Sequence, residues 1–195
     1  MVRQEHIRLV DQQKYSYTCA SYFSALKYPD DPVRDQIVRE HLEAAQEDDR
    51  DLIDQIGRSV QPFLDYCVDS VDWSRYRIVG FTSLFAGMNT PSAILAGRIK
   101  ERYPHVTTVL GGWNTSGDMG RVLLEKFDEI DYVLRGEADE TFTRFVSAIL
   151  SGESPAGIPG LVRRVPQNCG SVEDWPQTQA KEMDRIPFPD FSDFF

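Results

Sequence analysis

Several patterns that would announce a chemistry are missing from this 195-residue sequence. The cysteines Cys19, Cys67 and Cys169 stand far apart with no CxxC spacing, so neither a zinc site nor an iron–sulfur site can be read from them. The histidines His6, His41 and His105 make no HExxH motif and no cluster with carboxylates, which sets aside the metalloprotease and Cys/His nucleophile classes and leaves no candidate metal ligands. The 21 Lys and Arg are outnumbered by 31 Asp and Glu and form no basic stripe. A formal charge of -10 therefore argues against a nucleic-acid partner and, for the same reason, against an anionic membrane surface. No run approaches the roughly 18 apolar residues of a membrane span. The opening MVRQEHIRLVDQQK lacks the apolar core of a secretion signal, so a cytoplasmic location is expected.

What is present is periodicity. A hydrophobic content of 41% over this length supports a globular chain with a real core. The first thirty residues show no sustained period. From Val33 apolar residues recur at steps of three and four through Val38 and Leu42, and again from Leu52 through Ile56, Val60, Leu64 and Val68, as one long helix or two with Pro62 as a candidate kink. Glu47, Asp48, Asp49 and Asp51 between them read as a solvated helix junction.

From Tyr76 the pattern alternates. RIVGFTS, VTTVL, DYVLR and IPGLVRRV read as strands; SAILAGRIKERY, MGRVLLEKF and ETFTRFVSAIL read as helices. Thr90-Pro91 looks like an N-cap followed by proline in the first helical position. Such alternation is the mark of βαβ units. It predicts an α/β fold, Rossmann-like (flavodoxin-like), with a parallel sheet of about four to five strands, flanking helices and an N-terminal helical region. The expected boundaries are 1–72 for the irregular and helical region, 73–165 for the core and 166–195 for a linker whose aromatic end, IPFPDFSDFF, suggests docking.

Open sheets of this kind bind ligands beyond the carboxyl ends of their strands, which selects the segments TSLFAGMN, GGWNTSGD and GEADE. None is GxGxxG or GxxxxGK[ST], so the dinucleotide fingerprint and the phosphate-binding loop are both absent. The first segment offers Thr82, Ser83, Leu84, Phe85 and Asn89; the second Gly111, Gly112, Trp113, Asn114, Thr115 and Ser116; the third Gly136 and Glu137. These are small or neutral hydrogen-bonding groups, and the glycine pair lets a flat ligand lie on the backbone. No general acid or base stands out, since Glu137 and Asp139 are as well suited to capping the following helix.

Thr82-Ser83-Leu84, 26 intervening residues and then Gly111-Gly112 resemble the Ser/Thr-x-Leu and Gly-Gly pattern of the cobalamin-binding domain. The surrounding text over residues 75–165 is similar to the cobalamin-binding region of radical S-adenosylmethionine enzymes, in particular the subgroup associated with maturation of ribosomally made peptide natural products. The resemblance implies cobalamin as cofactor, with Thr82 and Leu84 around its dimethylbenzimidazole tail, Gly111 and Gly112 against the nucleotide loop, and the Gly136-Glu137 turn near the corrin edge. It also implies a radical S-adenosylmethionine domain or subunit as partner and a precursor peptide as candidate substrate.

Two departures shape that expectation. The DxHxxG motif that supplies a histidine to cobalt in many such domains is absent, with Ile37 in DQIVRE standing where the histidine would be, so cobalamin is expected without a histidine lower ligand. The CxxxCxxC motif of the radical domain is absent too, so S-adenosylmethionine and a four-iron cluster are expected only if a radical domain is present elsewhere. The chain then reads as a fragment of a longer enzyme or as a stand-alone relative of one, with no catalysis expected from it alone. HIRLV at 6–10 is a poor candidate for a leading strand, and an unpaired sheet edge would favour self-association. The rival readings are a cobalamin-type domain that has lost its cofactor and serves as an interaction module, and a flavodoxin-like protein for another flat ligand such as a flavin.

Overall fold

The structure, a computed structural model, describes residues 47–165 and 171–177 without a break, and in addition residues 22–24, 26–30, 36, 40, 188 and 190–192. HIRLV, His6, His41 and nearly all of the helical period over 33–46 lie outside the described residues. The chain forms two compact units, 1–108 and 109–195.

The alternation read from the sequence is what the chain adopts. In order come α1 (Glu47–Asp69), β1 (Ile78–Thr82), α2 (Asn89–Arg102), β2 (Thr107–Gly111), α3 (Met119–Lys126), β3 (Tyr132–Leu134), α4 (Asp139–Ser151), β4 (Leu161–Arg164) and β5 (Val172–Asp174). The five strands make one α/β, Rossmann-like sheet in the order β1-β2-β3-β4-β5.

The sheet is mixed: the parallel pairing expected from the alternation is found between β2 and β3, and the last two strands join it antiparallel. At the start of β2 the Thr107 amide donates to the carbonyl of Arg77, just ahead of β1, so these strands begin at the same end. β2 and β3 are parallel, with Val109 beside Tyr132. β4 runs against β3 and β5 against β4. The reversal follows from the connection after α4: the chain comes back to the carboxyl end of β3, where the Arg135 amide donates to the carbonyl of Gly160, and Leu161 pairs with Leu134. β5 lies within the stretch read as linker. Only three residues long and carrying two acids, it is held by β4, against which Glu173 faces Arg163 and pairs with it at 2.7 Å.

In the first unit, α1 is one continuous helix that includes Pro62. Val68 of α1, Val79 of β1, Ile99 of α2 and Val106 form a buried cluster, with Trp73, Phe81, Leu95 and Tyr103 packed against it. The Trp73 indole N–H donates to the Val68 carbonyl at the helix end, 3.0 Å away. Arg98 and Arg102 of α2 pair with Asp65 and Asp69 of α1, two exposed bridges each worth little in water.

The second unit is built on Leu110, Val133, Leu161 and Val162 of the strands with Leu124, Ile130 and Phe145, all essentially inaccessible. Tyr132 meets Phe145 edge to face at a centroid distance of 5.1 Å. Arg164 closes the carboxyl end of α3 by donating to the carbonyls of Leu124 and Phe127, where a cation also suits the helix dipole.

Candidate functional site

The segments selected from the sequence all follow strand ends. Residues 82–89 belong to the first unit and residues 111–116 with 136 and 137 to the second.

After β1 the chain does two different things with its side chains. Ser83 is completely buried, its hydroxyl 2.6 Å from Oδ1 of Asn89 and 3.2 Å from the Phe85 carbonyl, so it ties the strand end to the first residue of α2. That tie explains a difference at the helix start: α2 begins at Asn89, its N-cap position is Met88 with no side-chain cap bond, and Thr90 lies inside the first turn instead of capping it. Pro91 is still within the turn where no intrahelical partner is needed for the missing N–H. Around the buried pair the surface is apolar and open, with Thr82 exposed, Leu84 half exposed and Phe85 73% exposed. Leu84 and Phe85 are the apolar surface this loop presents.

After β2 the two glycines have different reasons to be glycine. Gly112 has φ 105 and ψ 175, a conformation that side chains rarely adopt, and it opens a single 3-10 turn over Trp113–Thr115. Gly111 needs neither this freedom nor the space. It lies in the strand with no positive φ, and a Cβ built on it would meet only the Leu134 carbonyl oxygen, at an ordinary 3.7 Å. The fold would accept a side chain there.

Thr115 fixes the turn. It is fully buried, and its hydroxyl lies 2.8 Å from the carbonyls of both Gly112 and Leu134, so the loop is joined to the last residue of β3. The Ser116 amide donates back to the Trp113 carbonyl. Asn114 and Ser116 are half-buried, whereas Trp113 is 81% exposed. After β3, Gly136 has φ 76 and Glu137 is exposed, followed by Asp139 and Glu140 in the first turn of α4. Within the second unit the structure thus brings Gly111, Gly112 and Thr115 against Leu134, at the head of the Gly136-Glu137 turn. The turn after β3 and the start of α4 carry the carboxylates Glu137, Asp139 and Glu140, which suit neutral amides and hydroxyls better than a polyphosphate.

Of the three histidines His105 is the one described. It stands exposed before β2, edge-on to Tyr103, at the amino end of the strand, opposite the end that carries Gly111 and Gly112. Among the described residues no group of three or more His, Cys, Asp or Glu is arranged to hold a metal ion, and no helix is long and apolar enough to cross a membrane.

Sequence reasoning missed Arg135 and Gln177. Arg135 is 7% exposed and donates to the carbonyls of Gly117 at 3.1 Å and Trp175 at 2.8 Å, and the Gly117 amide donates to Oε1 of Gln177 at 3.3 Å. The one signal for Arg135 was a cation directly behind the buried run DYVL. Nothing signalled Gln177, sixty positions from its partner.

No protein-family model matches the chain, and no curated protein does. Among solved structures the chain is similar to the radical S-adenosylmethionine methyltransferase TsrM from Kitasatospora setae, solved with tryptophan substrate and the S-adenosylmethionine analogue aza-SAM bound. The two are 20% identical with a TM-score of 0.42. The likeness covers 82% of this chain, which spans 27% of that protein's length.

Proposed function

We propose that the chain is a cobalamin-binding module of the kind that serves radical S-adenosylmethionine enzymes, holding the cofactor without a histidine lower ligand. The observation that carries the reading is Gly111. Neither its backbone nor its packing requires glycine, and it follows Thr82-Ser83-Leu84 after 26 intervening residues, at the end of a strand whose next residue opens a turn. A ligand lying on the backbone is a reason for glycine at such a position.

The residues present suit that cofactor. Leu84 and Phe85 would offer apolar contact to its tail, Gly111 and Gly112 a bare backbone to its nucleotide loop, and Asn114, Ser116 and the Gly136-Glu137 turn would meet its peripheral amides, while Thr115, buried and bonded to the carbonyls of Gly112 and Leu134, acts only by fixing the turn. Ser83 and Asn89 act one step back, by setting the strand end from which Leu84 projects. When bound, cobalamin supplies the group-transfer chemistry of its cobalt, and this chain's part is to bind and orient it. The partner would be a radical S-adenosylmethionine domain or subunit acting on a peptide.

Titration of the chain with hydroxocobalamin, followed through the visible spectrum and a binding isotherm, tests the reading. Saturable binding is expected, with the same affinity in His105→Ala as in the unaltered chain. No binding at high micromolar cobalamin would refute it and favour an interaction module.

A further inference from the structure

The loop that carries the glycine pair has few side chains with which to hold itself in shape. Its near end is fixed by Thr115. What fixes its far end is a buried arginine and the segment that follows β5.

Arg135 leaves the carboxyl end of β3 and is 7% exposed, an expensive location for a guanidinium unless its donors are used. One terminal nitrogen donates to the carbonyl of Gly117 at 3.1 Å, the other to that of Trp175 at 2.8 Å, with the Asp174 carboxylate 3.7 Å away. Nε has no acceptor. The stem passes where Gly120 has no side chain: a Cβ there would lie 2.7 Å and 2.8 Å from Cγ and Cδ of Arg135 and 2.6 Å from the Thr115 carbonyl oxygen. On its other side Gly117 donates its amide to Gln177. Both polar groups of one loop glycine are therefore held from outside the loop, by a strap and by a side chain bonded to the same strap. The strap is itself anchored, because the Gly160 amide donates to the carbonyls of Trp175 and Pro176 and the Trp175 amide donates to Leu161.

A brace meant only to stabilise the end of β3 would be cheaper as an apolar side chain, since burying a charge with one donor unused costs more than it returns. The arrangement makes sense if the location of the Gly117 carbonyl matters. We propose that Arg135 is a positioning residue for the loop 111–117, and that residues 174–177 set this loop's shape for its ligand through Arg135 and Gln177. The identity of the ligand rests on the cobalamin reading above; the clamp does not.

The test compares the full chain with Gln177→Ala, which alters an exposed residue, and with Arg135→Lys, which keeps the charge but loses the two-pronged fork. Amide hydrogen exchange reads the loop. Residues 113–117 are expected to exchange about tenfold faster in Gln177→Ala and faster still in Arg135→Lys, while the amides of Val109 and Val133 in the strands keep their protection in Gln177→Ala. Hydroxocobalamin binding is expected to weaken about three- to tenfold in Gln177→Ala and further in Arg135→Lys, which Arg135→Gln should not restore. Loop exchange that stays at the unaltered rate in both variants would overturn the clamp. If the unaltered chain binds no hydroxocobalamin, the functional reading fails alone and the exchange data decide the clamp. If it binds and the variants match its affinity although their loops are freed, the clamp does not serve the ligand.

Discussion

Replacing each member of the glycine pair by alanine should give opposite effects on stability and, at Gly111, a loss of binding that stability cannot explain. At Gly111 the added methyl meets only the Leu134 carbonyl oxygen at 3.7 Å, an ordinary contact, on a backbone without positive φ. Removing a flexible residue from the unfolded chain then stabilises, by about 0.4–1 kcal/mol. At Gly112, with φ 105 and ψ 175, the same change forces a side chain into a region nearly reserved for glycine and costs about 1–3 kcal/mol. Urea denaturation of the ligand-free proteins should therefore separate the two by about 1.5–4 kcal/mol. Binding behaves differently. A methyl standing about 1.5 Å off the Cα lifts a flat ligand from the strand end. A gap of even about 0.5–1 Å forfeits a quarter to a half of each dispersion contact it opens. Gly111→Ala is expected to lose at least about tenfold in hydroxocobalamin affinity, or 1.4 kcal/mol, and Gly111→Leu to lose binding altogether. A Gly111→Ala protein as stable as expected that binds cobalamin normally would refute the reasoning, because the bare backbone would then serve no ligand. Destabilisation by more than about 1 kcal/mol would refute it differently, by giving Gly111 a structural reason.

Two further outcomes test the second unit's core and its ionisation. Phe145→Ala, which empties a fully buried site facing Tyr132, should cost about 3–5 kcal/mol and lower the urea midpoint without changing the slope. Burial first, and the nearby Asp131 charge second, raise the Tyr132 hydroxyl above its ordinary value. The folded state thus favours neutral Tyr132. Its contribution is intact below about pH 10, where the unfolded phenol begins to ionise, and fades as pH climbs through the raised folded value. Tyr132→Phe should flatten that alkaline limb of a stability profile; an unchanged limb would mean that Tyr132 ionises freely in the folded chain.

The fold was legible because β and α periods alternate cleanly between Ile78 and Arg164, and each of the first four strands lies in an apolar run bounded by a turn signal. Strand direction is not written in such runs. Val162 and Leu161 have the same buried pattern whether β4 runs with β3 or against it, and the difference lies in the path from Gly152 to Gly160, which brings the chain to the carboxyl end of β3. β5 was illegible for a different reason. VED has no apolar period, and it is a strand because Arg163 pairs with Glu173 and lies over the Trp175 ring at 5.6 Å. The helix starts at Asn89, two residues ahead of the first helical position that Thr90-Pro91 predicts, because a sound local signal loses to the bond from Ser83 to Asn89.

The candidate site divides along the same line between local and distant causes. Its glycines were visible as a pair, yet a pair in sequence hides two separate causes, a backbone demand at Gly112 and a vacancy at Gly111, and only dihedral angles and neighbouring atoms tell them apart. Beyond the bonds inside the turn itself, those that tie the loop to its surroundings involve Leu134, Arg135 and Gln177, at sequence distances of 18 to 60 residues. No local pattern encodes them, since a hydroxyl, a guanidinium and an amide are each common at strand ends and in tails. A loop of small residues, however, cannot be stiff by itself, because glycine and serine lose the most freedom for the least contact on ordering. Where such a loop must present a fixed surface, its restraints have to be supplied by neighbouring elements. That requirement turns the run VLGGWNTSG into a reason to look for an arginine or a strap elsewhere in the chain, even before either can be seen.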